Sequence, residues 1–173
     1  MPLMSHWTQT QHITVSLTTW VREEQPYPDH PDRFHTYYQV LCREGLSGRC
    51  YWEVEWSGGG GGGAEIAMAY KSIKRKWGDA ASMGYDDKSW SLSCSTSSYF
   101  VRHNKKRTDI PAPSPRSRRV GVYLDWPAGT LSFYSISSDT LTHLHTFHAT
   151  FTEPLYPGFW VYLYSPVSLC QIT

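Results

Sequence analysis

Between Cys50 and Trp56 the chain alternates without a break. Cys50, Trp52, Val54 and Trp56 point one way, and Tyr51, Glu53 and Glu55 point the other. This period of two, carried by aromatic and β-branched residues, predicts a strand with one buried face. Two tryptophans on that face place the strand at the centre of a large β core. The same pattern recurs along the chain. Residues 13–20 are rich in Thr and Val, and 37–42 read as another strand. Ile66, Met68 and Tyr70 share a face, with Ala67 and Ala69 opposite. Trp90, Leu92 and Cys94 form one stripe, and Val120, Val122, Leu124 and Trp126 form another. Leu131 and Phe133 begin a return strand, and segments 141–147, 158–164 and 167–172 complete the set.

Turn signals separate these runs. Pro26, Pro28 and Pro31 make 25–33 a loop, and Glu44-Gly-Leu-Ser-Gly48 turns the chain into the Trp52 strand. Residues 58–63 are all glycine. No Gly-Lys-Ser/Thr follows them, so they predict a loop between strands and not a phosphate cradle. Residues 111–115 read Pro-Ala-Pro-Ser-Pro, a stiff extended loop. Asp125-Trp-Pro-Ala-Gly-Thr130 is a hairpin connection, with Gly129 suited to positive φ. No long amphipathic helix is visible. About ten short strands with frequent turns predict an all-β, two-sheet antiparallel sandwich. No second domain or internal repeat is visible.

Composition narrows the classes. The 173 residues suffice for one domain with a substantial core, and the net charge of +1 points to neither nucleic acid nor a membrane surface. Eight Trp and twelve Tyr favour pleated surfaces. No apolar run is long enough for a transmembrane helix. Residues 1–10 lack the basic stretch and apolar core of a signal peptide. Cys42, Cys50, Cys94 and Cys170 show no metal-type spacing and read as reduced thiols of a cytosolic protein.

Each candidate chemistry has a plain structural competitor. Glu53 and Glu55 lie on one strand face at a separation that suits glycoside hydrolysis. No further acids follow just downstream, so a solvated or ion-paired outer face is expected. His143 and His145 share a face on a regular strand and His148 falls opposite, so no metal site is expected. Asp86-Asp87-Lys88 lacks the ligand pattern of a calcium loop. Segment 102–119 carries Lys105-Lys-Arg107 and Arg116-Ser-Arg-Arg119 against Asp109 alone. It reads as a solvated basic loop, with contact to an acidic partner as second reading and nucleic acid as third.

Several segments together resemble a PRY–SPRY domain. They are Trp20-Val-Arg-Glu-Glu-Gln-Pro-Tyr-Pro28, Arg33-Phe34, Gln39-Val-Leu-Cys-Arg-Glu-Gly-Leu46 and Gly48-Arg-Cys-Tyr-Trp-Glu-Val-Glu-Trp56. Asp87-Lys-Ser-Trp-Ser-Leu92, Arg119-Val-Gly-Val-Tyr-Leu-Asp125, Gly129-Thr-Leu-Ser-Phe-Tyr134 and Pro154-Leu-Tyr-Pro-Gly-Phe159 follow in the family's order. The likeness is to the form found in fish tripartite-motif ligases, fish NLR-type receptors and stonustoxin-like proteins. It covers 13–173, with a PRY part over 13–47 and a SPRY part over 48–173. Residues 1–12 do not match the family's opening Leu-Asp-Pro segment and form a divergent or truncated N-terminus. The family's Leu-Asp-Tyr-Glu motif reads Leu124-Asp-Trp-Pro127 here.

The resemblance implies a bent, concanavalin-like jelly-roll sandwich whose loops read a protein or peptide. It implies binding and not catalysis, with no cofactor and no metal. The expected protein is a cytoplasmic, monomeric domain with no nucleic-acid or membrane partner. Its expected role is ligand recognition within an innate-immune or ubiquitin-ligase protein. A carbohydrate-binding or glycoside-cleaving sandwich is the alternative. Three groups are expected to form the partner face. The first is Tyr27, Asp29 and Arg33. The second is Asp86, Lys88, Ser91, Ser93, Tyr99 and Arg102. The third is Phe159, Trp160, Tyr162 and Tyr164.

Overall fold

The computed structural model describes residues 31–34, 36–56, 63–138, 140–160 and 167–172, the last five of them by backbone alone. The expected strand at 13–20 and most of the glycine run lie outside the described residues. Eleven strands are described: β1 (Gln39–Leu41), β2 (Arg49–Trp56), β3 (Gly63–Tyr70), β4 (Ser89–Ser95), β5 (Tyr99–His103), β6 (Lys106–Ile110), β7 (Arg119–Asp125), β8 (Thr130–Ser137), β9 (Thr140–His148), β10 (Leu155–Trp160) and β11 (Val167–Ile172). One 3-10 turn, Asp79–Ala81, interrupts the β3–β4 connection.

The strands form two antiparallel sheets. One has the order β1-β10-β3-β4-β5-β6 and the other β11-β2-β7-β8-β9. They meet over the alternating apolar faces read from the sequence. Trp52, Val54, Trp56, Val122, Leu124, Leu131 and Phe133 are buried from the five-stranded side. Ile66, Met68, Trp90, Leu92 and Val101 come from the six-stranded side into the same core. Trp52 stands opposite Val122, which stands opposite Phe133, so three strands deliver large side chains to one level. Cys50 and Cys94 are buried there as free thiols, and burial raises the pKa of both.

A second, smaller cluster lies on the other face of the six-stranded sheet. Ala67 and Ala69 are small enough to let the 71–88 connection lie on the strand, and Ile73 and Met83 close over them with Phe34 and Leu41. The Gln39 side chain fastens this connection. It donates to the Ala81 carbonyl, and its Oε1 accepts from the Met83 amide at 3.2 Å.

Two readings from the sequence need correction. Residues 102–110 of the segment read as a basic loop belong to the β5–β6 hairpin, which spans 99–110. Asn104 and Lys105 make its two-residue turn with φ of 49° and 66°. That double positive φ belongs to the turn type whose twist matches the flanking strands. On β9, a bulge opposite Phe133/Tyr134 inserts Leu144, so His145 faces Phe133 while His143 faces Tyr134. The two histidines therefore do not share a face. Among the described residues no group of three or more His, Cys, Asp or Glu is placed to hold a metal.

Candidate functional site

Directly opposed residues share a face, so register identifies what the outer side of the six-stranded sheet presents. One row runs Gln39, Trp160, Glu65, Ser93, Phe100, Asp109. The next runs Leu41, Gly158, Ala67, Ser91, Arg102, Arg107. The middle of this face is small and closed. Ser91 is buried beneath Gly84, where a Cβ would stand 2.6 Å from the serine Oγ. Gly84 has φ of 87°, so that position favours glycine on both counts.

The two ends of the face carry the large groups. At one end Trp160 meets Tyr37 with ring centroids 5.2 Å apart. Beyond it Tyr38 is 66% exposed and Trp77, in the β3–β4 connection, is 68% exposed. At the other end Arg102 lies over the Tyr85 ring at 4.4 Å and the Phe100 ring at 5.0 Å. Arg107 lies over Phe100 at 3.8 Å. The guanidinium groups are thus held on ring faces, where the ring quadrupole attracts them. Arg107 also pairs with Asp109 at 2.8 Å.

Asp86 links this end to the loop before β4. Its carboxylate accepts from the Ser89 hydroxyl at 2.8 Å and from the Lys88 amide at 3.2 Å. Its carbonyl accepts from the Asn104 amide at 3.0 Å, and Gly84 accepts from Lys105 at 3.1 Å. Burial raises the Asp86 pKa, and the two bonds to its carboxylate oppose that rise. The loop and the β5–β6 turn are therefore one unit.

Of the expected site residues, Asp86 and Arg102 come together at this end, while the Lys88 side chain turns to the Ser72 carbonyl at 3.4 Å. Trp160 stands in the same row as Phe100, three strands away. At about 4.8 Å per strand that is about 14 Å, within the footprint of one interface. Arg33 belongs to a segment tied to the β3–β4 connection. There the Arg75 guanidinium donates to the Asp32 carbonyl at 3.3 Å and covers the Phe34 ring at 4.5 Å. Tyr27, Asp29, Tyr162 and Tyr164 lie outside the described residues.

Four expected contacts are buried. Tyr99 and Phe159 point into the main core, because they pair with Cys94 and Ile66 on the inner side of the sheet. Burial pushes the Tyr99 phenol up to about 12, with Cys94 adding to the rise. Ser91 is wholly buried and Ser93 is 9% exposed. Tyr37, Tyr85 and Phe100 were missed, and Arg107 was read only as part of the basic segment. The alternation Tyr99, Val101 against Phe100, Arg102 was a legible signal for two strand faces there.

The other chemistry read from the sequence resolves into structure. Glu53 pairs with Arg119 at 3.4 Å and accepts from the Tyr51 hydroxyl at 3.0 Å, while Glu55 pairs with the same Arg119 at 3.5 Å. Both carboxylates share one guanidinium on the outer face of the five-stranded sheet.

Comparison with known proteins fits this architecture. The profile of the SPRY domain matches residues 49–172, and that of the SPRY-associated domain, PRY, matches 17–46. Stonustoxin subunit alpha of Synanceia horrida is 49% identical over 139 residues, 79% of this chain and 19% of that protein. Tripartite motif-containing protein 16 of Mus musculus is 37% identical over 149 residues, 85% of this chain and 25% of that protein. The chain thus spans a quarter or less of these relatives. The stonustoxin structure superposes with a TM-score of 0.80 at 42% identity, over 91% of this chain and 26% of that one. The TRIM65 PSpry domain superposes at 0.79 with 29% identity, over 94% of this chain and 85% of that one. Two sheets in this order, a core of alternating strand faces and profile matches over most of the chain have one meaning: this chain belongs to the PRY–SPRY family of protein-interaction domains.

Proposed function

We propose that this domain recognises a protein or peptide through the outer face of its six-stranded sheet and the loops around it. In this reading it catalyses nothing and acts in the cytoplasm, as the ligand-reading part of a larger innate-immune or ubiquitin-ligase protein. One observation carries the reading. Trp160 and Phe100 stand in one row of a rigid sheet, flanked by Tyr37 on one side and Arg102 and Arg107 on the other. Aromatic and arginine side chains are the groups that anchor protein interfaces, and a sheet fixes them at little cost in ordering. The shared guanidinium on Glu53 and Glu55 supports binding over glycoside cleavage. Neither carboxylate is left as an unopposed acid or base.

A second parent is a toxin-like protein, favoured by the higher identity to the stonustoxin subunit. The same face would then contact another subunit.

Proximity labelling in cells identifies the partner, and titration with the purified chain tests the face. Trp160→Ala should weaken binding by about 30-fold, which corresponds to about 2 kcal/mol. Unchanged affinity in a folded Trp160→Ala, with loss in Tyr123→Ala on the opposite sheet, would overturn the reading. Glucan or chitin cleavage abolished by Glu53→Gln would overturn its non-catalytic part.

A further inference from the structure

Strand β6 ends the six-stranded sheet, and no described element pairs with its far side. An open edge presents unpaired backbone groups to any extended chain that reaches it. The two-residue turn at Asn104 and Lys105 closes on a hydrogen-bonded pair, His103 with Lys106. Antiparallel pairs alternate from there, so Lys106, Thr108 and Ile110 direct their N–H and C=O groups to β5. Arg107 and Asp109 direct theirs to the open edge. Their side chains fall on the outer face, beside Arg102 and Phe100.

Charge at this edge is one-sided. Arg102, Lys105, Lys106 and Arg107 stand against Asp109 in the hairpin, in a chain whose net charge is +1. The Lys88 ammonium is turned away to the Ser72 carbonyl at 3.4 Å, and Asp87 is the exposed acid of the neighbouring loop. Asp86 is turned to Ser89 and the Lys88 amide. Lysines alone on an edge strand would read as protection against unwanted pairing. Two features go beyond that. The guanidinium groups of Arg102 and Arg107 are held on the faces of Tyr85 and Phe100, and such stacking leaves their N–H edges directed sideways. The Arg107–Asp109 pair is exposed, at 45% and 75%, so it is worth little and exchanges readily for another carboxylate.

We propose that β6 is a docking edge for an extended acidic segment of a protein ligand. The segment adds as a further strand along Lys106–Ile110. Its backbone pairs with Arg107 and Asp109, and its outward carboxylates lie beside Arg107 and Arg102. This combines strand addition, which supplies affinity, with charge, which supplies selection. The inference rests on the reading of this face as the recognition face and names the chemistry of what it reads.

The test uses the whole chain and a fluorescent ten-residue peptide alternating Glu and Thr. Controls are the Lys and Thr analogue, the Glu and Thr peptide N-methylated at alternate amides, and pyrophosphate as competitor. The Glu peptide should bind, and its affinity should fall as salt rises. Arg102→Ala with Arg107→Ala should weaken it at least tenfold, and N-methylation should do the same. Arg107→Glu should shift preference toward the Lys peptide, which keeps the proposal testable if the double variant unfolds. No binding of the Glu peptide, or equal binding of the Lys peptide, overturns the proposal. Full competition by pyrophosphate together with indifference to N-methylation also overturns it, leaving an anion site without strand addition. If Trp160→Ala releases the natural partner while the two arginines are dispensable for it, the face stands and the docking edge falls.

Discussion

Trp90 and His103 stack across the β4–β5 pair, their ring centroids 4.6 Å apart and their planes 5° from parallel. His103 Nδ1 lies 2.7 Å from the Ser89 carbonyl, which can only accept, so Nδ1 carries the proton of that bond. Tyr70 and Phe151 meet the indole edge-on at 5.3 and 5.2 Å. A partly buried imidazole thus closes one end of the main core. His103→Ala removes both the stack and the bond, and should cost about 1–2 kcal/mol. His103→Phe keeps the stack and should recover part of the loss. Urea denaturation of the three proteins decides this, and an alanine variant as stable as the parent would remove the stack from the account.

Trp52 is wholly buried, with Val122 directly opposite on β7. Replacing it with alanine deletes the largest side chain at the centre of both sheets. The expected cost is about 3–5 kcal/mol, a large share of the stability of a small domain. Trp52→Phe should cost less. A Trp52→Ala protein that melts within a degree or two of the parent would contradict this assignment.

The core was legible because one rule governs it. Alternation placed Trp52, Leu92, Val122 and Phe133 on buried faces before any geometry was known. Only the sheet pairing, which depends on contacts far apart in sequence, was needed to join them. Alternation says which residues share a face but not which face is covered. Phe159, Tyr99, Ser91 and Ser93 therefore entered the expected site beside Trp160 and Arg102, although all four are buried. Ser91 is buried by Gly84, seven residues earlier, through a backbone conformation that no periodicity encodes. The β5–β6 hairpin was hidden for a different reason. Strand β6 is an edge with four exposed residues, so it carries no apolar stripe, and its charges masked the turn at Asn104 and Lys105.

Gly129 tests the turn chemistry. Its φ is 73°, and a Cβ there would run into the Ala149 carbonyl oxygen, while its own carbonyl accepts from the Ala149 amide at 2.9 Å. Gly129→Ala meets a left-handed backbone and a backbone clash together. It should destabilise by more than about 1 kcal/mol. Gly48, with nothing within 4 Å of a built Cβ, is the control. Gly48→Ala should leave the denaturation midpoint nearly unchanged. Equal midpoints for the two variants would refute the turn geometry.

His145 sets a pH dependence. Its ring is partly buried and meets Phe147 edge-on at 4.6 Å, with Phe133 opposite on β8. Burial holds its pKa below the usual 6.5, and the neighbouring His143 and His148 lower it further. In the unfolded chain the same group titrates near 6.5. Between the folded and unfolded values the unfolded chain binds more protons, so stability rises with pH through that window. Read downward, the contribution is intact above about 6.5 and is lost as pH falls toward the folded value. His145→Gln removes this group and leaves His143 and His148 in place. The drop in melting temperature from pH 7.5 to pH 5.0 should therefore be smaller in His145→Gln than in the parent. Equal drops would show that the ring titrates in the folded protein as it does in water, and the burial argument for β9 would fail.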